Sequence, residues 1–269
     1  MKPVTTHTSL FTNKKLMKIT FIGSGNVATH LALAFYTRGH VINQIWSRNY
    51  EHAQRLACRV EALPTNDIHT LDKSSNIYIV AVKDDALFDV ALDLQLGDAL
   101  VLHTSGSASI DVLKSCSTRY GVIWSPQSFF IDVAMEYNEL PFCIEGSDTE
   151  TEAAIDEFIG MTSQHIFHIS YEQRQYLHLA AVMVNNFTNG LYATAQQICR
   201  EHEMPFELLV PIVTTTAKRT QYADVRYQIT GPAARRDGKT IKTHRQLLKN
   251  DKAMLELYDF MTKYIQNIK

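Results

Sequence analysis

The residues Gly23-Ser24-Gly25-Asn26-Val27-Ala28 have the types and spacing of a turn that can hold a diphosphate. In such a G-x-G-x-x-A string, Gly23 permits the tight turn and Gly25 lets the backbone approach a pyrophosphate. Ala28 is small enough for the next helix to pack closely on the preceding strand. The context is the one the motif requires: KITFI before it reads as a strand, and NVATHLALAFYTRG after it reads as an amphipathic helix stopped by Gly39. A helix starting here aims unpaired N–H groups, and the positive end of its dipole, at the phosphates. A small-residue turn or an S-adenosylmethionine site are the other readings of the string, and the strand and helix around it favour a dinucleotide.

The end of the second strand separates NAD from NADP. An NAD site places a carboxylate about 20 residues beyond the turn, on the ribose hydroxyls. Here the position reads Trp46-Ser47-Arg48-Asn49, with no acid before Glu51. Ser47, Arg48 and Asn49 can donate to a 2'-phosphate, and the Arg fork matches phosphate geometry. The expected cofactor is therefore NADP rather than NAD, with Arg48 as a plain surface charge the alternative. Two later strand ends, around Val82 and at His103-Thr104-Ser105-Gly106-Ser107, should line the nicotinamide side, because ligands of open α/β sheets sit at the carboxyl ends of strands. His103 and Ser105 are candidates to touch nicotinamide or substrate, whereas Asp84 and Asp85 read first as helix caps.

Further along, His178, Val182, Asn185 and Asn189 fall at steps of four, three and four, the spacing of one helical stripe, with Asn186 beside it. His178 and Asn186 are candidates for a catalytic cleft, and Asn189 for interhelical hydrogen bonding. The segment Thr230–Gly238, TGPAARRDG, sets two turns around Arg235 and Arg236, a pair that can bind a carboxylate or phosphate. One of the two reads as an ordinary solvated arginine. His244, one turn into the following helix, can face the same place.

The elements that must position these residues follow from periodicity. KITFIG, VINQIWS, NIYIVAV, ALVLHT, GVIWSP and PFCIEG are strands, several apolar at nearly every position, as in a parallel sheet covered on both faces. After Gly146 long helical periods take over. A capping box at Thr149/Glu152 predicts a helix to about Met161, and a second at Ser170/Gln173 predicts one long helix to about Glu203. Leu177, Ala181, Val184, Leu191, Ala195 and Ile198 form its apolar stripe. Pro205 suits a first turn, Pro211 predicts a kink, and two last helices start near Thr240 and Asp251.

The expected organisation is a polar tail or over-long start at 1–16 ahead of a second Met-Lys at Met17, a dinucleotide-binding domain at 17–147 and a helical domain at 148–269. Hydrophobic content of 45% and charged content of 20% are globular values. A net charge of -2 gives no drive toward nucleic acid or anionic membrane. No apolar run reaches the ~18 to 20 residues of a membrane span. Cys58, Cys116, Cys143 and Cys199 lack metal spacing and read as reduced thiols in a cytoplasmic protein, with no metal site.

Together GSGNVATHLA, HTSGS, IWSPQSF, HLAAVMVNNFTNGL and TGPAARRDGKTIKTHRQLL resemble the Rossmann-like proteins with a DUF2520 helical domain, relatives of pyrroline-5-carboxylate reductase and 6-phosphogluconate dehydrogenase. The resemblance covers about Met17 to Lys269. It implies an N-terminal Rossmann parallel sheet with helices on both faces, followed by an all-α C-terminal domain like that of 6-phosphogluconate dehydrogenase. It further implies NAD(P)H-dependent chemistry on a small molecule and a homodimer formed through the helical domain. In the hydroxyacid and 6-phosphogluconate dehydrogenases a lysine four residues before an asparagine transfers the proton. Here Asn186 fits the asparagine but Val182 stands at the lysine, so His178 becomes the candidate for that task. Three readings follow. One is an oxidoreductase acting on a carbonyl, and another an imine or proline-type reductase that needs little acid catalysis. The third is an NADP(H)-binding regulatory or scaffold protein without chemistry.

Overall fold

The structure is a computed structural model describing residues 16–222 and 224–268. The tail expected at 1–16 lies outside the described residues except for Leu16. Two compact units divide between Val182 and Met183.

The first unit is built on a sheet. Its elements are β1 (Lys18–Ile22), α1 (Asn26–Tyr36), β2 (Val41–Trp46), α2 (Tyr50–Ala57), β3 (Leu63–Thr65), β4 (Ile77–Val80), α3 (Asp84–Leu92), β5 (Leu100–His103), β6 (Arg119–Trp124), β7 (Phe142–Gly146), α4 (Thr149–Gly160), β8 (Ile166–His168) and α5 (Tyr171–Ala181). The strand order β3-β2-β1-β4-β5-β6-β7-β8 reverses direction between β1 and β4. That is the switch point of a Rossmann fold, and it opens a crevice at the carboxyl ends of the strands. The pairs from β3 through β6 are parallel, β7 runs antiparallel to β6, and β8 is parallel to β7.

The near-continuous apolar strands are covered on both faces. Ile19, Phe21, Ile77, Ile79, Leu100 and Leu102 pack in one buried cluster with Leu31, Phe35 and Leu56 of α1 and α2. The alternate residues Tyr78, Val80 and Val101 pack in a second with Leu87 and Val90 of α3. The composition shift at Gly146 does not coincide with the division between units: α4 packs Ile155, Phe158 and Ile159 into the first cluster, and β8 adds a strand. Strands β3 and β8 went unread because each spans three residues, too few for a period to register.

Local signals located helix starts closely. Ser170 and Gln173 form the reciprocal capping box at α5. At α4 the cap is Asp148, one residue earlier than the Thr149 expected, because its carboxylate already accepts the Thr151 N–H. Glu152 instead accepts the Gly146 N–H.

The second unit is helical: α6 (Thr188–Glu201), α7 (Val210–Arg219), α8 (Gly238–Leu247) and α9 (Lys252–Asn267). The single helix expected from Ser170 to Glu203 resolves into α5, a π-helical turn over Val182–Phe187, and α6. Pro211 sits in the first turn of α7 rather than kinking it, behind a 3-10 turn at Phe206–Leu209. A proline there lacks an N–H that no helical carbonyl would have received. Asp237 and Asp251 cap α8 and α9.

Candidate active site

Gly23 follows β1 with φ +122°, and a Cβ there would stand 2.2 Å from the Ala81 carbonyl oxygen. Only glycine fits, because β1 and β4 lie side by side at the switch point. Gly25 differs: a Cβ on it would meet nothing within 4 Å. It precedes α1, whose first turn no side chain caps. Open space in front of uncapped amides is what a diphosphate needs. Ser24 is half-buried in the turn and Val27 packs against the core. The Asn26 amide is turned aside to donate to the Phe129 carbonyl at 2.8 Å, tying the turn to the segment after β6.

Beyond β2, Arg48 is exposed and Ser47 half-buried. Asn49 caps α2, its side-chain oxygen accepting the His52 N–H, so only its amide nitrogen remains for a ligand. Val82 is partly buried against the second cluster.

The β5 end leads into a loop of hydroxyls, Thr104, Ser105 and Ser107. His103 is fully buried, and its Nδ1 accepts the Ser105 N–H at 3.1 Å. The ring proton therefore sits on Nε2, a buried donor without a protein acceptor. Burial, with the Arg174 charge adding to it, pushes this imidazole down to about 3, so it stays neutral. Ser105 Oγ accepts from both Ser107 N (3.1 Å) and Ala108 N (3.0 Å), so its own proton points to Ser107 Oγ at 3.3 Å. Ser107 donates in turn to Asp84 Oδ2 at 2.5 Å. Asp84 is thus drawn to this chain rather than capping α3, where Lys83 holds the cap position without a side-chain bond.

His178, half-exposed on α5, lies edge-on to Trp124 with ring centroids 5.8 Å apart. A Cβ on Gly106 would come within 2.7 Å of Trp124 and 2.8 Å of His178, so the serine loop passes directly under both rings. The structure thus brings the candidate His178 over the loop that carries Ser105, a juxtaposition the sequence reading did not make. That reading also missed Trp124, the Ser107–Asp84 bond and the buried Arg174, although Arg174 stands one turn before His178.

The other candidates belong to the second unit. Asn186 is exposed in the π turn. The stripe drawn through Val182, Asn185 and Asn189 assumed an unbroken α-helix, and the π turn breaks that period, an irregularity common at functional sites. Asn189 donates to Asn185 Oδ1 at 3.4 Å, a bond along its own helical run rather than the interhelical one expected of it. Arg235 and Arg236 are both exposed; Arg236 takes a left-handed φ of 55° and donates to the Gln266 carbonyl. His244 bonds the Tyr258 hydroxyl at 2.9 Å. Among the described residues no cluster of His, Cys, Asp or Glu could hold a metal, and no helix is long and apolar enough to cross a membrane.

Residues 18–105 match the model described as NADP oxidoreductase coenzyme F420-dependent, and residues 140–265 match DUF2520, a domain of unknown function. A proposed NADP oxidoreductase of Bacteroides fragilis is 35% identical, with a TM-score of 0.88 over 93% of this chain and 98% of that one. The chain belongs to this NADP oxidoreductase family. Two more distant structures share the fold. An imine reductase from Myxococcus stipitatus, in complex with NADP+, is 18% identical over 93% of each chain, with a TM-score of 0.63. A 1-pyrroline-5-carboxylate reductase from Streptococcus pyogenes is 15% identical over 93% of this chain and 98% of that one, with a TM-score of 0.62. Among curated proteins none matches. The family is one of NADP-dependent oxidoreductases, and the turn at Gly23–Ala28 fits the cofactor: its glycine is enforced, its amides are uncapped and the space before Gly25 is open.

Proposed function

We propose that the protein transfers a hydride between NADP(H) and a small anionic molecule bearing a carbonyl or imine carbon. In the reducing direction the hydride adds to that carbon, and a proton goes to the oxygen, or is already on the nitrogen of an iminium. The bound nicotinamide supplies the hydride chemistry; the chain supplies orientation, a proton and charge. Gly23–Ala28 would hold the diphosphate, and Ser47 and Arg48 the 2'-phosphate. His178 is the proposed proton donor or acceptor, Asn186 orients the substrate, and Arg235 is the handle for its negative group.

The observation that carries this reading is that the enforced phosphate turn and the serine loop under His178 follow the carboxyl ends of β1 and β5, which flank β4 in one parallel sheet. The valine at position 182 and the fold shared with an imine reductase favour imines, which need least acid catalysis. The test is loss of NADPH absorbance with cyclic imines and with 2-oxo acids, in the native protein and in His178→Ala. Turnover that disappears in the variant while NADPH still binds supports the assignment. NADPH bound tightly with no acceptor reduced would instead favour a regulatory protein that senses NADP(H).

The second unit supports a homodimer. Its apolar residues Val184, Leu208, Ile212, Leu247 and Phe260 are exposed, and Cys199 alone is buried among its described residues. A second copy of the same face is the proposed cover. The four free cysteines, Cys58 among them exposed, accord with a reducing, cytoplasmic setting.

A further inference from the structure

Helix α5 has one buried residue, and that residue is charged. Arg174 is fully enclosed, while Tyr176, Leu177 and Leu179 around it are exposed. No apolar stripe fastens this helix to the sheet; a guanidinium does. Arg174 Nη1 donates to Glu145 Oε2 at 2.5 Å and Nη2 donates to the Ala108 carbonyl at 2.7 Å. The other oxygen of Glu145 accepts the Tyr171 N–H at 3.2 Å, gripping the helix at its first residue as well. The Tyr171 ring lies against the guanidinium, 5.5 Å from its centre.

An enclosed ion pair gains little net stability, since desolvation offsets most of the attraction. What a rigid two-pronged donor supplies is placement. Its two acceptors come from different strand ends, Glu145 on β7 and Ala108 in the loop after β5. Ala108 is also the residue whose N–H fixes Ser105 Oγ. One helical turn after Arg174, on the same face, stands His178 over Gly106 and against Trp124.

We infer that Arg174 is a positioning residue: its fork sets His178 and the Ser105 loop in register with each other. This rests on the reading of His178 as the proton-transfer group, but its geometric content can be tested without any substrate. The chain has two tryptophans, and Trp46 Nε1 has no hydrogen-bond partner, so Trp46→Phe loses no bond and leaves Trp124 as the single reporter. A protonated imidazole quenches an indole it touches more than a neutral one does. In the full-length Trp46→Phe protein, Trp124 emission therefore falls on acidification, and His178→Gln removes that step.

Arg174→Lys keeps the charge without the fork, and Arg174→Met removes both. Each is expected to lose most of the quenching step while the NADPH dissociation constant stays where it was. Should Arg174→Met fail to fold, Arg174→Lys carries the test. Once an acceptor is found, kcat should fall by about 10²-fold, the usual cost of a misplacement near 1 Å, with KM for NADPH unmoved. A quenching step that persists in both Arg174 variants overturns the inference, as does one that survives His178→Gln. Loss of NADPH binding together with the step would reduce Arg174 to a residue of the fold and overturn it too. Absence of turnover with every acceptor would sink the hydride-transfer reading but leave the fluorescence result standing.

Discussion

The two units of this chain solve the burial of apolar side chains differently. The first closes a sheet between helices and buries three apolar clusters of its own. The second carries an equally regular helical pattern, yet among its described residues only Cys199 is buried. An apolar period therefore dictates that a face will be covered, not what covers it. In the first unit the cover is the same chain; in the second, by our proposal, it is another copy.

The contrast can be broken at its rigid end first. Gly23→Ala forces a side chain into a positive-φ position and against the Ala81 carbonyl. It should cost at least about 3 kcal/mol in urea denaturation, from backbone strain and overpacking combined. Gly25→Ala places its methyl in open space, so stability should hold while NADPH affinity drops at least about tenfold, or ~1.4 kcal/mol. Equal effects from the two glycines would mean that the turn is structural only.

At the other end, Val184→Asp with Leu208→Asp puts charges on the exposed apolar face of the second unit. Light scattering should register a monomer in place of a dimer, and the dependence of Tm on protein concentration should vanish. A native protein already monomeric at micromolar concentration would contradict the proposal.

A smaller effect tests the buried side of the first unit. His103 is neutral when folded, held down to about 3, but titrates near 6.5 once unfolded. The unfolded state therefore takes up the extra proton as pH falls below about 6.5, and stability is lost on acidification. Between about pH 7.5 and 5 that loss is about 2 kcal/mol. His103→Gln should lack this component, measured as a flatter dependence of unfolding free energy on pH. The smallest effect is at a helix end: Asp148→Ala removes the α4 cap and should cost about 1 kcal/mol in thermal unfolding.

Much of this was legible in the sequence, for identifiable reasons. The Gly23 turn is a local motif whose glycine requirements are written in consecutive residues, and six strands announced themselves by apolar runs. The capping box at Ser170 is equally local. What escaped depends on contacts between distant residues. Arg174 meets Glu145 and Ala108 only through the packing of α5 on the sheet, and nothing in its neighbourhood marks it as buried. The Asp84 carboxylate read as a helix cap, and the approach of Ser107, 23 residues away, drew it elsewhere. The π turn at Val182–Phe187 breaks a period that the residues themselves continue.

The central claim is that the Gly23 turn and Arg48 together hold NADP(H), and calorimetric titration tests it most directly. NADPH should bind with a measurable heat and more tightly than NADH, and Arg48→Ala should erase that preference while leaving NADH binding intact. No heat with either nucleotide, or a preference untouched by Arg48→Ala, would contradict the account.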